Sequence, residues 1–115
     1  MQSKKSTKEI GDEWELKAKQ YLERLGYIFI ESNYRNGRNE IDIIFKFEKK
    51  LIFVEVKYRK NKKYGNPEDF VDHAKLNRIK QAAEEYIYEK KWLGDIRFDI
   101  IALLPNETMH LKDIF

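Results

Sequence analysis

The stretch LIFVEVKYRK, residues 51–60, limits what this chain can fold into more than any other. Leu51, Ile52, Phe53, Val54 and Val56 are core formers, mostly β-branched or aromatic, and they suit a strand buried on both faces. Glu55 breaks that run between two valines, and Lys57 follows two places on. Residues two apart on a strand share a face, so Glu55 and Lys57 point the same way as Leu51 and Phe53. A face that is apolar at Leu51 and Phe53 and charged at Glu55 and Lys57 must run out of the core into a cleft, because a buried charge without a partner is too costly.

The surrounding pattern supplies a setting for that strand. Ile10, Trp14, Ala18, Tyr21, Leu22 and Leu25 recur at helical spacing from about Thr7 to Leu25, and Gly26 closes the run as a C-cap. YIFIESNY reads as a strand, RNGRN as a turn, EIDIIFKF as a second strand and EKK as a tight turn before the third. After the loop KNKKYGNPED, a long helix is expected from about Asp72 to Lys91, burying Ile79, Ala82, Ala83, Tyr86 and Ile87. DIRFDIIALL is a fourth, nearly all-apolar strand, PNET a turn, and a short last strand lies near MHLKDI. The order α-β-β-β-α-β-β predicts an α/β fold with a single mixed β-sheet flanked by helices, since a helix between the third and fourth strands permits a crossover. Residues 1–115 are expected to form a single domain, with 1–6 a flexible N-terminal tail.

If the second and third strands form a hairpin around EKK, Asp42 and Glu55 lie side by side, while Glu40 shares the face of Asp42. Two carboxylates at ~4 Å repel by roughly 4 kcal/mol at an effective dielectric of about 20. Such a pair either raises a pKa or binds a cation, and oxygen-only ligands select Mg²⁺ or Mn²⁺. A metal held there, with Lys57 in reach, would suit the chemistry of a phosphoryl centre.

Charge agrees with a polyanionic partner without requiring one. The net charge is only +3, but five of the seven residues 57–63 are basic, Arg59, Lys60, Lys62 and Lys63 among them, and Lys75, Arg78 and Lys80 form a second run. The competing reading of both runs is a solvated surface. The absence of cysteine excludes disulfides and thiolate chemistry. With no apolar leader and no run of about 18 apolar residues, a cytoplasmic protein without a membrane span is expected.

EID at 40–42 followed by EVK at 55–57 resembles the PD-(D/E)xK nuclease signature of restriction endonucleases and archaeal Holliday junction resolvases. A closer resemblance is to the YraN-type family of endonuclease-like proteins. It is carried by GDEWELKAKQYLERLGY, EIDII, FVEVKYR, the YG at 64–65, Lys75 and RFDIIA at 97–102. This resemblance implies a restriction endonuclease-like fold and a Mg²⁺- or Mn²⁺-dependent endonuclease hydrolysing phosphodiester bonds in DNA. It also implies branched or Holliday junction-like substrates, and hence a place in DNA repair or recombination. Asp42 and Glu55 would be metal ligands, the Val56 carbonyl a contributor, and Lys57 the group that positions the attacking water or the scissile phosphate. The first helix would add a glutamate; Glu15 lies at the margin of the apolar stripe and Glu13 further round, and by the resemblance the spacing of Glu15 to Ala18, Tyr21 and Leu22 matches that of the family's glutamate. Glu40 reads equally as a supporting group or an exposed turn residue. Lys75 would meet a phosphate near a helix N-terminus. The chain departs from the wider pattern in having Ile41, not proline, before Asp42, and Asn39 in a place where glycine is common.

Concerted cutting of two strands would call for a homodimer. The alternatives are a nucleic-acid-binding module without catalysis and a protein-interaction subunit, each retaining the fold. Asp99 interrupts an apolar strand and reads as half of a structural ion pair. His73 and His110 have no metal-ligand spacing, Trp14 and Trp92 read as core, and Tyr58 and Tyr64 read as loop packing or base stacking.

Overall fold

In a computed structural model, which describes residues 6–60 and 71–114, two helices sandwich one five-stranded sheet. Helix α1, Thr7–Arg24, begins at Ser6, whose hydroxyl accepts the Glu9 N–H at 3.1 Å. Ser6 is therefore a helix cap and not part of a tail; residues 1–5 lie outside the described residues. The helix stops at Leu25, and Gly26 turns the chain with φ +94°, a conformation that favours glycine.

Strands β1 (Ile28–Asn36), β2 (Asn39–Phe47) and β3 (Lys50–Tyr58) form an antiparallel meander. Helix α2, His73–Lys90, crosses over to β4 (Asp95–Leu104), which runs parallel to β3, and β5 (Glu107–Leu111) returns antiparallel to β4. The sheet order is β1-β2-β3-β4-β5, the expected mixed sheet in the expected chain order. This is a restriction endonuclease-like arrangement.

Each face of the sheet buries its own core. Toward α1 lie Ala18, Leu22, Tyr27, Ile43, Phe45, Ile52, Val54, Ile101 and Leu103. Toward α2 lie Ile41, Ile44, Leu51, Phe53, Phe98 and the helix residues Leu76, Ile79, Ala82, Ala83 and Tyr86. The two-residue period of β3 thus sends Leu51 and Phe53 under α2 and Ile52 and Val54 under α1, which is why that strand has almost no polar position until Glu55. Among the described residues no helix is long and apolar enough to cross a membrane.

Besides a register shift in β1 between Phe29 and Glu31, the alternation fails in β2. Ile41 and Ile44 face α2 while Ile43 faces α1, so a strict period is broken around Asp42. The pairing of β2 with β3 also ends at Ile43–Val54, although both strands continue. Beyond that point β2 stays paired to β1 as far as Asn39, and β3 stays paired to β4 as far as Tyr58. The sheet forks there.

Candidate active site

The fork leaves ladder groups on β3 needing partners, and Asp42 supplies one. Its Oδ2 accepts the Val56 N–H at 2.8 Å, bridging the two strands with a side chain where backbone pairing has stopped. Asp42 therefore reaches into the gap, with Glu40 and Glu15 near enough for their charges to act on one another. In an extended strand the N–H and C=O of one residue leave on the same side, so the Val56 carbonyl opens on the same gap.

Glu55 enters the gap from β3, one step beyond the last β2–β3 pair. Its side chain is 2% exposed, and two ammonium groups approach its Oε1: Lys75 Nζ at 2.6 Å and Lys57 Nζ at 3.4 Å. Neither contact has hydrogen-bond direction, and Oε1 stays a buried acceptor without a well-directed donor. Charge compensates this carboxylate; geometry does not satisfy it.

Three more groups close the cluster. Glu15 of α1 is half-buried, as the margin of a helix face requires, and Glu13 is exposed. The Asn33 amide nitrogen donates to Glu15 Oε2 at 3.3 Å. Turned over, so that its oxygen no longer faces only acceptors, the same amide donates to Glu15 Oε1 and Glu40 Oε1 at 3.2 Å each. Glu40 also meets Arg35 at 3.7 Å. Asn33 has φ +54°, a left-handed backbone that asparagine tolerates better than most residues. Sequence reasoning passed over Asn33, although an asparagine inside an aliphatic and aromatic strand was a usable signal. Asn39 fills the glycine-like position without a positive φ, and donates from its amide to Gln81 of α2 at 3.3 Å.

The electrostatics follow from this crowding. Burial pushes the Asp42 carboxyl up, and Glu55 and Glu40 push with it, against the opposing Val56 N–H and Lys75. Glu15 is raised by burial and by Asp42, against the Asn33 hydrogen bond. Burial alone would lower Lys75, but Glu55, Asp42 and Glu40 outweigh it and hold the ammonium above its ordinary range.

The basic residues divide. Lys57 and Lys75 belong to the cluster. Arg59 turns its guanidinium back to the Tyr58 carbonyl at 2.8 Å, while Lys60 and Arg78 are exposed. Lys62, Lys63 and Tyr64 lie outside the described residues. Tyr58 stacks on Trp14, ring centroids 4.2 Å apart, so Trp14 packs at a half-buried margin and not in the deep core.

A hard cation fits the chemistry of this donor set: oxygen atoms only, one of them a buried acceptor of β3 without a directed donor, with the Asp42 carboxylate of β2 across the fork. Among the described residues no three acidic or histidine side chains close up into a metal-holding group on their own. Asp42, Glu55 and the Val56 carbonyl are the residues that could hold such an ion, with Glu15 and Glu40 as further carboxylates of the same cluster.

Comparison with known proteins decides the kinship. The model of the uncharacterised protein family UPF0102 matches residues 14–103, from the residue before Glu15 to the end of the β4 core. The chain belongs to the UPF0102 family. This is the YraN-type family, and it sits within a nuclease-like superfamily. A UPF0102 protein of Cytophaga hutchinsonii is 48% identical over 101 residues, covering 87% of this chain and 89% of that protein. One from Fusobacterium nucleatum is 42% identical over 110 residues, covering 95% and 92%. Another, from Vibrio parahaemolyticus, is 39% identical over 100 residues, covering 85% and 83%. The UPF0102 match contains every cluster residue on α1, β1, β2, β3 and α2.

Proposed function

We propose that this UPF0102 protein is a metal-dependent nuclease that hydrolyses phosphodiester bonds in DNA, with branched or otherwise distorted duplexes as its substrate class. The observation that carries the reading is the buried Glu55 carboxylate at the fork of the sheet, beside Asp42 and under two lysines. A fold gains nothing in stability from such a cluster that apolar residues would not supply better. A bound Mg²⁺ or Mn²⁺ would supply charge neutralisation at the phosphate and a more acidic water.

The chain's own residues do the rest. Asp42, braced by the Val56 N–H, and Glu55 present fixed oxygen atoms on rigid strands. Lys57, only 12% exposed, places a positive charge next to them that would hold the attacking water or a phosphate oxygen. Lys75, Arg78 and Lys60 border the cluster or stand exposed beside it, where the backbone of a nucleic acid would pass. Water adds across one P–O bond, leaving a phosphate on one product and a hydroxyl on the other. Cutting both strands of a duplex together would take two copies of the site, hence a homodimer.

The test is incubation with Mn²⁺ and duplex, single-stranded, flap and four-way DNA, with RNA alongside. Cleavage of at least one substrate, lost at least a hundredfold in Lys57→Ala, is the expected result. One observation favours a second reading: Lys75 already neutralises Glu55 at 2.6 Å, as a module that binds nucleic acid without cutting it would require. That module would hold DNA with a steep salt dependence and leave every substrate intact.

A further inference from the structure

We propose that Lys75 is the protein's own stand-in cation: its ammonium neutralises Glu55 in the metal-free protein and gives way when a divalent ion is taken up. The inference rests on the metal-dependent reading above and adds to it a residue that regulates loading of the same site.

The two lysines at Glu55 are not equivalent. Lys57 is 12% exposed and 3.4 Å from Oε1, on the same strand as its partner. Lys75 is closer, at 2.6 Å, yet its side chain is 44% exposed. It can therefore swing into water at small desolvation cost, whereas the Glu55 carboxylate, 2% exposed, cannot follow. Lys57 has no comparable way out.

The contact is also the kind that exchanges. Lys75 and Oε1 lack hydrogen-bond direction, so what holds them is charge, and a doubly charged ion competes for charge directly. The backbone beneath Lys75 stays in place, because its N–H is capped by Asp72 Oδ1 at 3.2 Å and Leu76 N–H bonds the Asp72 carbonyl at 2.9 Å. Only the side chain needs to move. It would then stand in the first turn of α2, one turn from the exposed Arg78, where a phosphate is attracted both by the ammonium and by the helix terminus. Uptake of the ion and grip on the phosphate would thus be coupled through one side chain.

Titration calorimetry with Mn²⁺ on the whole chain tests this, comparing wild type, Lys75→Met, Lys75→Arg and Asp42→Asn, with melting temperatures recorded in the presence of a chelator and of Mn²⁺. Removing the competing charge should tighten Mn²⁺ binding on the order of tenfold in Lys75→Met, while Lys75→Arg, which keeps the charge, should stay near wild type. Lys75→Met should also melt lower than wild type without metal and gain more from Mn²⁺. If Lys75→Met does not fold, Lys75→Gln makes the same comparison. A folded Lys75→Met that binds Mn²⁺ no tighter than a wild type that does bind it overturns the stand-in role and leaves the nuclease reading untouched. Absence of Mn²⁺ binding in both proteins, or binding undiminished in Asp42→Asn, overturns the metal reading and the stand-in role together.

Discussion

Asp42 is under two demands that pull against each other. It bridges the forked strands through Val56, which only a short acceptor side chain does, and its charge is penalised by burial and by Glu55 and Glu40. Its folded-state pKa is therefore above the unfolded value, and the sign of the linkage follows. Below the ordinary carboxylate range both states are protonated and the penalty is absent. It sets in as pH rises through that range and is complete above the raised folded value. Asparagine keeps the acceptor and drops the charge. Asp42→Asn should accordingly stabilise the metal-free protein by about 1 kcal/mol at neutral pH, an advantage that shrinks toward zero on acidification, while Mn²⁺ binding is lost. Denaturant melts with chelator at neutral and acidic pH measure this. An unchanged or lower stability at neutral pH would count against the burial argument.

At the level of elements, the helices were the more legible part. Gly26 marked the end of α1, and the apolar period of α2 placed its start and end to within a residue, because a 3.6-residue stripe is written locally. The cap at the far end of α2 was not legible. Lys91 takes the left-handed conformation, φ +55° and ψ +40°, in a position that usually falls to glycine. Lys91→Gly should raise stability by up to about 1 kcal/mol, read as a higher denaturation midpoint with an unchanged slope. The strands were found as strands, but the break of alternation in β2 was not. EIDII contains no glycine or proline to announce it, and the break coincides with the end of the β2–β3 pairing and with the left-handed Asn33 on the neighbouring strand.

The whole molecule is closed by a second charged cluster, distant in role from the first. Asp99 of β4 is 1% exposed and accepts from Arg97 Nε and Nη2, at 2.9 and 2.7 Å, meets His110 Nε2 of β5 at 2.7 Å and accepts the Asp113 N–H at 3.0 Å. Arg97 continues to the Tyr27 hydroxyl at 2.6 Å, so the last strand and the C-terminal segment meet on one carboxylate, and the α1–β1 connection joins them through Arg97. The structural ion pair expected for Asp99 is present, but His110, read from sequence as an ordinary histidine, is one of its partners. Burial would raise this carboxyl, yet the bonds from His110, Arg97 and the Asp113 N–H outweigh it and hold the group below its ordinary range. A depressed carboxylate contributes stability above its unfolded pKa and loses it as pH falls through the folded value. Asp99→Ala, which leaves Arg97 without its buried partner, should cost about 3–5 kcal/mol. The loss should be evident at neutral pH and narrow toward strongly acidic pH, as seen by circular dichroism melts.

Sequence by itself determined the order of elements, the two-sided burial of β3 and the identity of the charged residues near the fork. Each of these depends on spacing along one segment, which the chain records directly. Tertiary structure alone decided that the sheet parts after Ile43 and Val54, that Asp42 turns into the gap to meet Val56, and that Lys75 returns across some twenty residues of chain to lie on Glu55. Those outcomes depend on how separate elements meet, on which backbone groups are left without a ladder partner and which charge can reach them, and no local pattern encodes that.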